Sequence, residues 1–348
     1  MKVVVETIGG TRFAYPYVKA CLESGRSVCT SNKEMVATYG AELLALAKEH
    51  DCAFLFEASV GGGTPIITPM HQCLAANVIT EVEGIVNGTT NFMLTKMVRE
   101  GLGFEDALQI AQELGYAETK DPSDDVDGRD ACRKIAILAS LACGHHVYPD
   151  NIPTRGIRDI TVADIKAAEK LDSAIKLIAW YDEGEDGNMA AGVEPMLVSN
   201  ANQLAGVDDV FNAVLMKGDM LGDVVFYGKG AGKLPTASAV VADVIDCVKH
   251  FKARKYLFWE DAKPNYVADF GSMETSAFVR VSAKDSDTAL NTAADVFGKI
   301  TPLLAKRPVQ GEAGFTVENL TEKELSDKLA ALEARGVKVE GRIRISDY

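Results

Sequence analysis

The 348-residue chain lacks an excess of basic residues: 36 lysines and arginines stand against 50 aspartates and glutamates, which gives a formal net charge of −14. Neutralising a phosphate backbone requires a surplus of positive charge, so the composition argues against a nucleic-acid partner. The sequence also lacks an apolar run of membrane-spanning length and a secretory signal peptide, so we expect no membrane partner. Small molecules and further copies of the chain are the partners that this composition favours.

Cysteine is sparse and follows no repeated spacing. The seven cysteines are scattered singly, which favours reduced thiols in the cytoplasm over a disulfide framework. Cys143 lies close to His145 and His146 in the sequence. A structural zinc site needs four converging ligands, and no second pair is nearby. We therefore expect no structural zinc at this cluster.

Short apolar runs alternate with helical stretches between residues 1 and 65. The order strand, helix, strand, helix, strand at this spacing predicts a parallel sheet of the α/β class. Glycine turns follow the outer strands, at Gly9 and Gly10 and again at 60–65. Because ligands bind beyond the carboxyl ends of parallel strands, we expect both turns to border a ligand crevice.

The rest of the chain predicts two further regions. Residues 66 to about 225 mix helices with short β-type runs, which predicts an α+β domain with one helix over 161–181. From about 274 to 348 the predicted order is strand, helix, hairpin, helix, strand, with hairpin strands at 303–310 and 312–320. This βαββαβ order is typical of the small ferredoxin-like unit.

Charge of both signs crowds the start of a helix predicted over 129–142. Asp130 and Lys134 are four residues apart and share a helix face, with the acid on the favourable N-terminal side. Asp127 precedes the helix, where its carboxylate can cap free backbone amides. A lysine held beside an aspartate could donate a proton. The alternative is an exposed pair worth only about 0.3–0.5 kcal/mol, and spacing alone favours that alternative.

Other polar residues lie where predicted strands end. Lys33 directly follows the second strand, where it either faces the ligand crevice or is a solvated turn lysine. Segment 87–91 holds five small or hydrogen-bonding residues between apolar flanks, which suits a backbone approach to a ligand or a plain turn. Tyr116 and Glu118 lie in a loop just before the acidic cluster.

A loop with glycines at 228, 230 and 232 leads into an apolar helix predicted to begin near Pro235. Backbone amides at such a place can meet a phosphate or a ribose. The loop is not a P-loop, because Lys233 is followed by Leu234 rather than by serine or threonine. A glycine-rich loop by itself is weak evidence for a nucleotide.

Taken in order, the segments VVVETIGG, TSNKEM, FEASVGGGTPII, GIVNGTTNFMLTKM, AQELGYAE, DPSDDVDGRDACRKIAILASLA, VDDVFNAV and GKGAGKLPTASAVVADVID are far more specific than any one of them. The series resembles homoserine dehydrogenase, which interconverts aspartate 4-semialdehyde and homoserine with NADP or NAD. The resemblance covers about residues 1 to 250. It implies a Rossmann-type cofactor domain over 1–65, rejoined by about 226–255, and a catalytic and dimerisation domain over 66–225. It also implies a homodimer or higher homo-oligomer.

The resemblance assigns roles to individual residues. Lys134 corresponds to the general acid, with Asp130 orienting it and Lys33 beside the nicotinamide and the substrate. The implied substrate-binding residues are Glu118, Asp125, Tyr116 and Thr89. The implied cofactor-binding residues are Thr7, Ile8, Gly9, Gly10, Asn32, Lys33, Gly230, Gly232 and Pro235. A structural monovalent cation such as Na⁺ is implied at backbone oxygens of Glu57, Val60, Gly62 and Thr64.

The sequence departs from the family at its start, because no G-x-G-x-x-G turn precedes Val3. The resemblance implies that residues 1–65 are the remnant of a cofactor domain whose first half is absent. One interpretation is a fragment of a complete enzyme. The other is a chain made as written, with weak cofactor affinity and an exposed strand edge, or a non-catalytic amino-acid-binding protein.

The C-terminal region resembles an ACT domain, a regulatory module that binds amino acids in some members of the family. Its first strand is followed by 283–290, without the Asp-x-Pro-Gly turn that is usual there. The resemblance therefore leaves two hypotheses open for residues 274–348. They form either a threonine effector site or a dimerisation module.

Overall fold

The computed structural model describes residues 2–184, 188–252, 256–263, 266–303 and 311–346. A three-stranded parallel sheet is formed by β1 (Val3–Glu6), β2 (Ser27–Thr30) and β3 (Phe54–Leu55), in that order. Helices α1 (Ala14–Glu23) and α2 (Lys33–Glu49) connect them. The predicted βαβαβ order with a parallel sheet is confirmed.

A larger, nine-stranded sheet occupies most of the remaining chain. Its strands are β4 (Ile79–Ile85), β5 (Ser173–Glu183), β6 (Met189–Ser199), β7 (Phe211–Gly218), β8 (Gly222–Lys229), β9 (Glu274–Ser282), β10 (Thr301–Leu303), β11 (Glu312–Thr321) and β12 (Lys338–Ile345). The order across the sheet is β10-β11-β9-β12-β6-β5-β4-β7-β8. The pairing is antiparallel except between β12 and β6.

After β3 the described residues also form short 3₁₀ helices at Glu57–Ser59, Pro149–Asn151 and Phe270–Ser272, a π-helix at Pro69–Cys73, and eight α-helices. The α-helices are α3 (Gly88–Glu100), α4 (Phe104–Glu113), α5 (Ser123–Val126), α6 (Arg129–Cys143), α7 (Val162–Lys170), α8 (Lys233–Lys249), α9 (Ser286–Phe297) and α10 (Glu322–Ala334). Within the described ranges, no helix is both long and apolar enough to cross a bilayer.

The prediction of a single helix over 161–181 is wrong. Helix α7 ends at Lys170, Asp172 adopts a left-handed φ of 50°, and β5 begins at Ser173. The run from Ile175 to Tyr181 is buried throughout, as is most of β6, a strand that the sequence did not predict. Strands that are buried on both faces show continuous apolar runs, and periodicity cannot distinguish such runs from buried helices.

The C-terminal elements follow the predicted order strand, helix, strand, strand, helix, strand. Their strands lie in the order β10-β11-β9-β12, and β12 pairs in parallel with β6 through Arg344 opposite Met196. The C-terminal strands therefore continue the sheet that carries β4 to β8. Of the hairpin strand predicted at 303–310, only Leu303 lies within the described residues.

Helix α6 packs between the two parts of the molecule. It contacts β4, β5 and β6 of the large sheet. It also contacts α2, the helix that connects β2 and β3 of the parallel sheet. Residues from Ile135 to Ala139 on α6 are 1% exposed or less. Because α6 is packed on several sides, its polar first turns are held in a fixed position between the sheets.

Candidate active site

A buried carboxylate binds two lysines at the start of α6. The Oδ2 atom of Asp130 lies 2.8 Å from the Nζ of Lys134, one turn later on the same helix. The Oδ1 atom of Asp130 lies 3.0 Å from the Nζ of Lys33, the first residue of α2. The side chains of Asp130 and Lys134 are 9% and 11% exposed. The alternative that spacing favoured, an exposed surface pair, is therefore wrong.

Lys134 also binds the end of β4. Its Nζ donates to the carbonyl oxygen of Val86 at 2.6 Å. A lysine ammonium has three N–H donors, and the contacts with Asp130 and Val86 engage two of them. One donor is left for a ligand.

Asn87 joins the acidic residues to α3. As the N-cap of that helix, its Oδ1 accepts from the backbone N–H of Thr90 at 2.8 Å. Its Nδ2 donates to Asp125 Oδ1 at 2.7 Å and to Asp130 Oδ2 at 2.9 Å. Segment 87–91 is thus a helix entrance, and the plain turn considered from the sequence is wrong.

Helix α6 begins without the predicted carboxylate cap. Its N-cap residue is Gly128, at a φ of 82°, and no side chain caps the helix. Asp127 instead pairs with Arg158. Glycine adopts this left-handed φ at little cost, so the chain can turn sharply into the helix.

Opposing effects set the ionisation of the cluster. Burial alone would raise the pKa of Asp130, but the charges of Lys134 and Lys33 outweigh burial and hold this pKa well below its usual range. The charge of Asp130 in turn raises the pKa of Lys33. Burial also raises the pKa of Asp125, against the hydrogen bond from Asn87. Asp130 is therefore a carboxylate and Lys33 an ammonium at neutral pH.

The other predicted substrate residues lie beside the start of α3. The Oγ1 of Thr89 donates to the carbonyl oxygen of Tyr116 at 2.8 Å. The ring of Tyr116 packs edge-on against Phe92, with centroids 5.0 Å apart. The structure thus brings Thr89 and Tyr116 together, whereas the nearby Glu118 is exposed.

The loop after β1 is held at the carboxyl edge of the parallel sheet. Buried Glu6 accepts, through Oε1, from the backbone N–H groups of Ile8 at 2.6 Å and Gly9 at 3.2 Å. The carbonyl oxygen of Gly10 accepts from Asn32 Nδ2 at 2.7 Å. Asn32 caps α2, whose first residue is Lys33. The loop 7–10 is therefore tied to the helix that carries Lys33.

The glycine-rich loop before α8 packs on the turn after β3. A Cβ added to Gly62 would lie 2.3 Å from the carbonyl oxygen of Gly230, and one added to Gly63 would lie 2.6 Å from Cβ of Pro235. The two loops can approach this closely only because these positions are glycine. Helix α8 begins at Lys233, slightly before the predicted start, with Gly232 as its N-cap.

The polar side chains of the residues predicted to hold a cation make hydrogen bonds within the protein or have no partner among the described residues. The carboxylate of Glu57 accepts from the backbone N–H groups of residues 66, 67 and 68, at 2.6, 3.0 and 2.7 Å. The hydroxyl of Thr64 is buried and has no hydrogen-bond partner among the described residues. Within those residues, no group of three His, Cys, Asp or Glu side chains could hold a metal. A cation here would depend on backbone oxygens, including those of Val60 and Gly62.

Two family models match the chain over these elements. The model of the homoserine dehydrogenase NAD-binding domain matches residues 1–57, and the homoserine dehydrogenase model matches residues 65–245. The chain belongs to the homoserine dehydrogenase family.

The chain is also similar in sequence and in structure to individual homoserine dehydrogenases. The enzyme of a Synechocystis strain is 47% identical over 249 residues, which are 71% of this chain and 57% of that protein. The crystal structure of a homoserine dehydrogenase from Thiobacillus denitrificans matches with a TM-score of 0.88 and 35% identity, over 100% of this chain and 82% of that one. A hyperthermophilic archaeal homoserine dehydrogenase in complex with NADPH matches with a TM-score of 0.64 and 34% identity, over 74% and 73% of the two chains.

A homoserine dehydrogenase binds a nicotinamide cofactor, and the glycine-rich loop before α8 borders buried polar atoms that such a ligand could meet. Beside Gly230 lies the side chain of Asn212, whose nitrogen and oxygen are both buried and unpartnered among the described residues. Orphaned polar atoms at a loop of this kind suit a site completed by a ligand. Sequence reasoning did not single out Asn212. The sequence feature that could have identified Asn212 is its position as a polar residue inside the apolar run 210–216.

Proposed function

We propose that the chain catalyses the NAD- or NADP-dependent interconversion of aspartate 4-semialdehyde and homoserine, in the biosynthesis of threonine, methionine and isoleucine. The main support for the proposal is the position of Lys134. Its ammonium group is buried and held between Asp130 and Val86, and one of its N–H donors remains for a ligand. Reduction of an aldehyde develops negative charge on its oxygen. A fixed cationic donor stabilises that charge and supplies the proton.

The bound nicotinamide cofactor supplies hydride transfer to and from the substrate carbon. In the reductive direction the carbonyl double bond becomes a single bond, and its oxygen takes a proton from Nζ of Lys134. In the oxidative direction the neutral amine of Lys134 takes that proton back from the hydroxyl of the substrate. Asp130 orients this lysine and Lys33 from its two oxygens, 2.8 and 3.0 Å away. Lys33 adds a second positive charge near the reacting oxygen.

The amino-acid part of the substrate is proposed to bind at the start of α3. A substrate ammonium would pair with Asp125, whose Oδ1 is oriented by Asn87, and with Glu118. Thr89 and Tyr116 would form the adjoining wall, because they are joined by a hydrogen bond. In this proposal the substrate lies between α3 and the first turn of α6.

The cofactor is proposed to lie across the carboxyl edge of the parallel sheet. The loop of Thr7, Ile8, Gly9 and Gly10 would flank it on one side, together with Asn32 and Lys33. The loop from Gly230 through Gly232 to Pro235 would cover the other side. A Na⁺ ion at Glu57, Val60, Gly62 and Thr64 would stiffen the turn against which this second loop packs.

We also propose an oligomeric state, a role for the C-terminal unit and a cellular location. Strand β8 lies at one edge of the large sheet and exposes Tyr227, and the turn before it exposes Met220 and Leu221, which favours assembly into a homodimer. The βαββαβ order near the C-terminus favours an ACT-like unit with threonine as effector. The cysteines of the described residues form no disulfides, which favours a reducing, cytoplasmic location.

The direct test is a titration of the purified chain with NADPH and NAD⁺, followed by tryptophan and cofactor fluorescence, with homoserine oxidation assayed in parallel. Cofactor binding together with homoserine-dependent turnover is expected. Amino-acid binding without turnover under any cofactor would favour the non-catalytic alternative, and no binding of either ligand would refute both.

A further inference from the structure

Asn212 is a buried amide without partners. It lies on β7 and is 1% exposed, and neither Nδ2 nor Oδ1 has a hydrogen-bond partner among the described residues. Most buried polar side-chain atoms in native proteins are paired, and those that are not require an explanation. The unpaired amide therefore indicates a hydrogen-bond partner that becomes available only when a ligand binds.

The amide lies between the proposed cofactor loop at Gly230 and the start of α3, which the proposed function assigns to the substrate. A Cβ added to Gly230 would be 1.9 Å from Nδ2 of Asn212, so this loop rests directly on the amide. A Cβ added to Gly88 would be 3.6 Å from its Oδ1. Gly88 follows Asn87, which binds Asp125 and Asp130. Asn212 thus touches the proposed cofactor loop on one side and faces the start of α3 on the other.

The backbone before Asn212 is fixed to α3. The Nδ2 of Asn91 donates to the carbonyl oxygens of residues 207, 209 and 211, at 3.1, 3.0 and 3.2 Å. The hydroxyl of Thr95 accepts from the N–H of Asp209 at 2.9 Å. The start of α3 is also the side on which the substrate is proposed to bind. Asn212 is therefore anchored on the side of α3, and the glycine loop lies against the other side of its amide.

We propose that Asn212 is a positioning residue that couples cofactor binding to amino-acid binding. Its amide offers a donor and an acceptor to the backbone of loop 229–232, and these hydrogen bonds form when the loop settles over a bound cofactor. Because Gly230 has no side chain, its N–H and C=O can reach the amide. The proposal rests on the proposed function, in which this loop covers the cofactor.

The test is the binding of homoserine with and without NADPH, a combination that cannot react because both ligands are reduced. The coupling factor is the dissociation constant of homoserine alone divided by that at saturating NADPH. For the unmodified chain we expect a factor of at least about five. Asn212→Leu, of similar size but without hydrogen-bonding groups, should bring the factor to within twofold of one, and Asn212→Ser should retain part of the coupling.

Asn77→Leu is the matched control, because Asn77 packs against Gly218 at the opposite end of β7. This variant should keep the coupling factor of the unmodified chain. The melting temperature of Asn212→Leu should not fall, since the substitution removes two unpaired polar atoms. A lower melting temperature with unchanged coupling would mean that Asn212 only binds a buried water, and this result would overturn the proposal.

Two other outcomes also overturn the proposal: a coupling factor of one in the unmodified chain, and a Leu variant that keeps the full factor. NADPH titration and homoserine turnover of the unmodified chain are measured first. Failure at that stage refutes the proposed function, whereas failure of the coupling measurement alone refutes only the role of Asn212.

Discussion

Lys33 and Lys134 bind opposite oxygens of the same carboxylate, that of Asp130. One lysine begins α2 beside the parallel sheet, and the other lies on α6 beneath the large sheet. The carboxylate therefore joins the two parts of the molecule at the candidate active site. It also sets the distance between two positive charges that would otherwise repel each other.

Asp130→Asn should strongly reduce activity, because both lysines lose their shared counter-charge. We expect kcat/KM for homoserine to fall by about 10²–10⁴-fold, the range for a misplaced general acid. Breaking a buried charge pair should also cost about 3–5 kcal/mol of stability, measured by denaturant unfolding. Asp124→Asn is the control, because Asp124 pairs with Arg133 at the surface. A loss of less than threefold in the Asp130 variant would contradict the proposed mechanism.

Lys134→Met should separate chemistry from cofactor binding. The variant keeps an unbranched side chain of nearly the same length but cannot donate a proton, so kcat should fall by about 10²–10⁴-fold. The dissociation constant for NADPH, measured by fluorescence, should change little. Lys96→Met removes an exposed lysine that pairs with Glu100 and should leave both quantities unchanged. The mechanism is refuted if the Lys134 variant retains more than a tenth of kcat.

Gly62→Ala should weaken cofactor binding. The added Cβ would lie 2.3 Å from the carbonyl oxygen of Gly230, and the φ of 55° is unfavourable for alanine. The loop before α8 would have to move away, so we expect the dissociation constant for NADPH to rise tenfold or more, about 1.4 kcal/mol. Gly206→Ala is the control, since a Cβ there meets open space. Equal effects of the two substitutions would show that the loop contact is unimportant.

Asp243 should make stability fall as the pH rises. Burial raises its pKa to about 8; the hydrogen bond from the N–H of Glu57 opposes this shift and the charge of Glu57 adds to it. The unfolded chain releases this proton near its ordinary pKa of about 3.9. Between about pH 4 and 8 the folded state therefore binds more protons, and stability decreases by up to about 1.4 kcal/mol per pH unit.

The measurement is the free energy of unfolding between pH 5 and 8 for the unmodified chain and for Asp243→Asn. Asparagine resembles the neutral acid, so this variant should show a flatter pH dependence and greater stability near pH 8. Asp223→Asn, at an exposed position on β8, should follow the unmodified chain. Parallel curves for the unmodified chain and the Asp243 variant would show that Asp243 is already ionised at pH 5.

The fold was predicted well where the periodicity of the sequence was distinctive. The βαβαβ order of residues 1–65 follows from short apolar runs that alternate with amphipathic helices, and it is confirmed. The boundary between α7 and β5 was not predicted, because Ile175 to Tyr181 are apolar on both faces. A continuous apolar run has no period that would distinguish a central strand from a buried helix.

The sequence by itself determined the residue types of the candidate site and their local geometry. Asp130 and Lys134 share a helix face because they are four residues apart, and glycines permit the close approach of the loops at Gly62 and Gly230. Only the tertiary structure decided that Asp130 is buried, that Lys33 and Asn87 reach it, and that Asn212 lies between the loop at Gly230 and the start of α3. These contacts join residues far apart in the chain, and burial determines whether an ion pair is a weak surface contact or the fixed centre of a site.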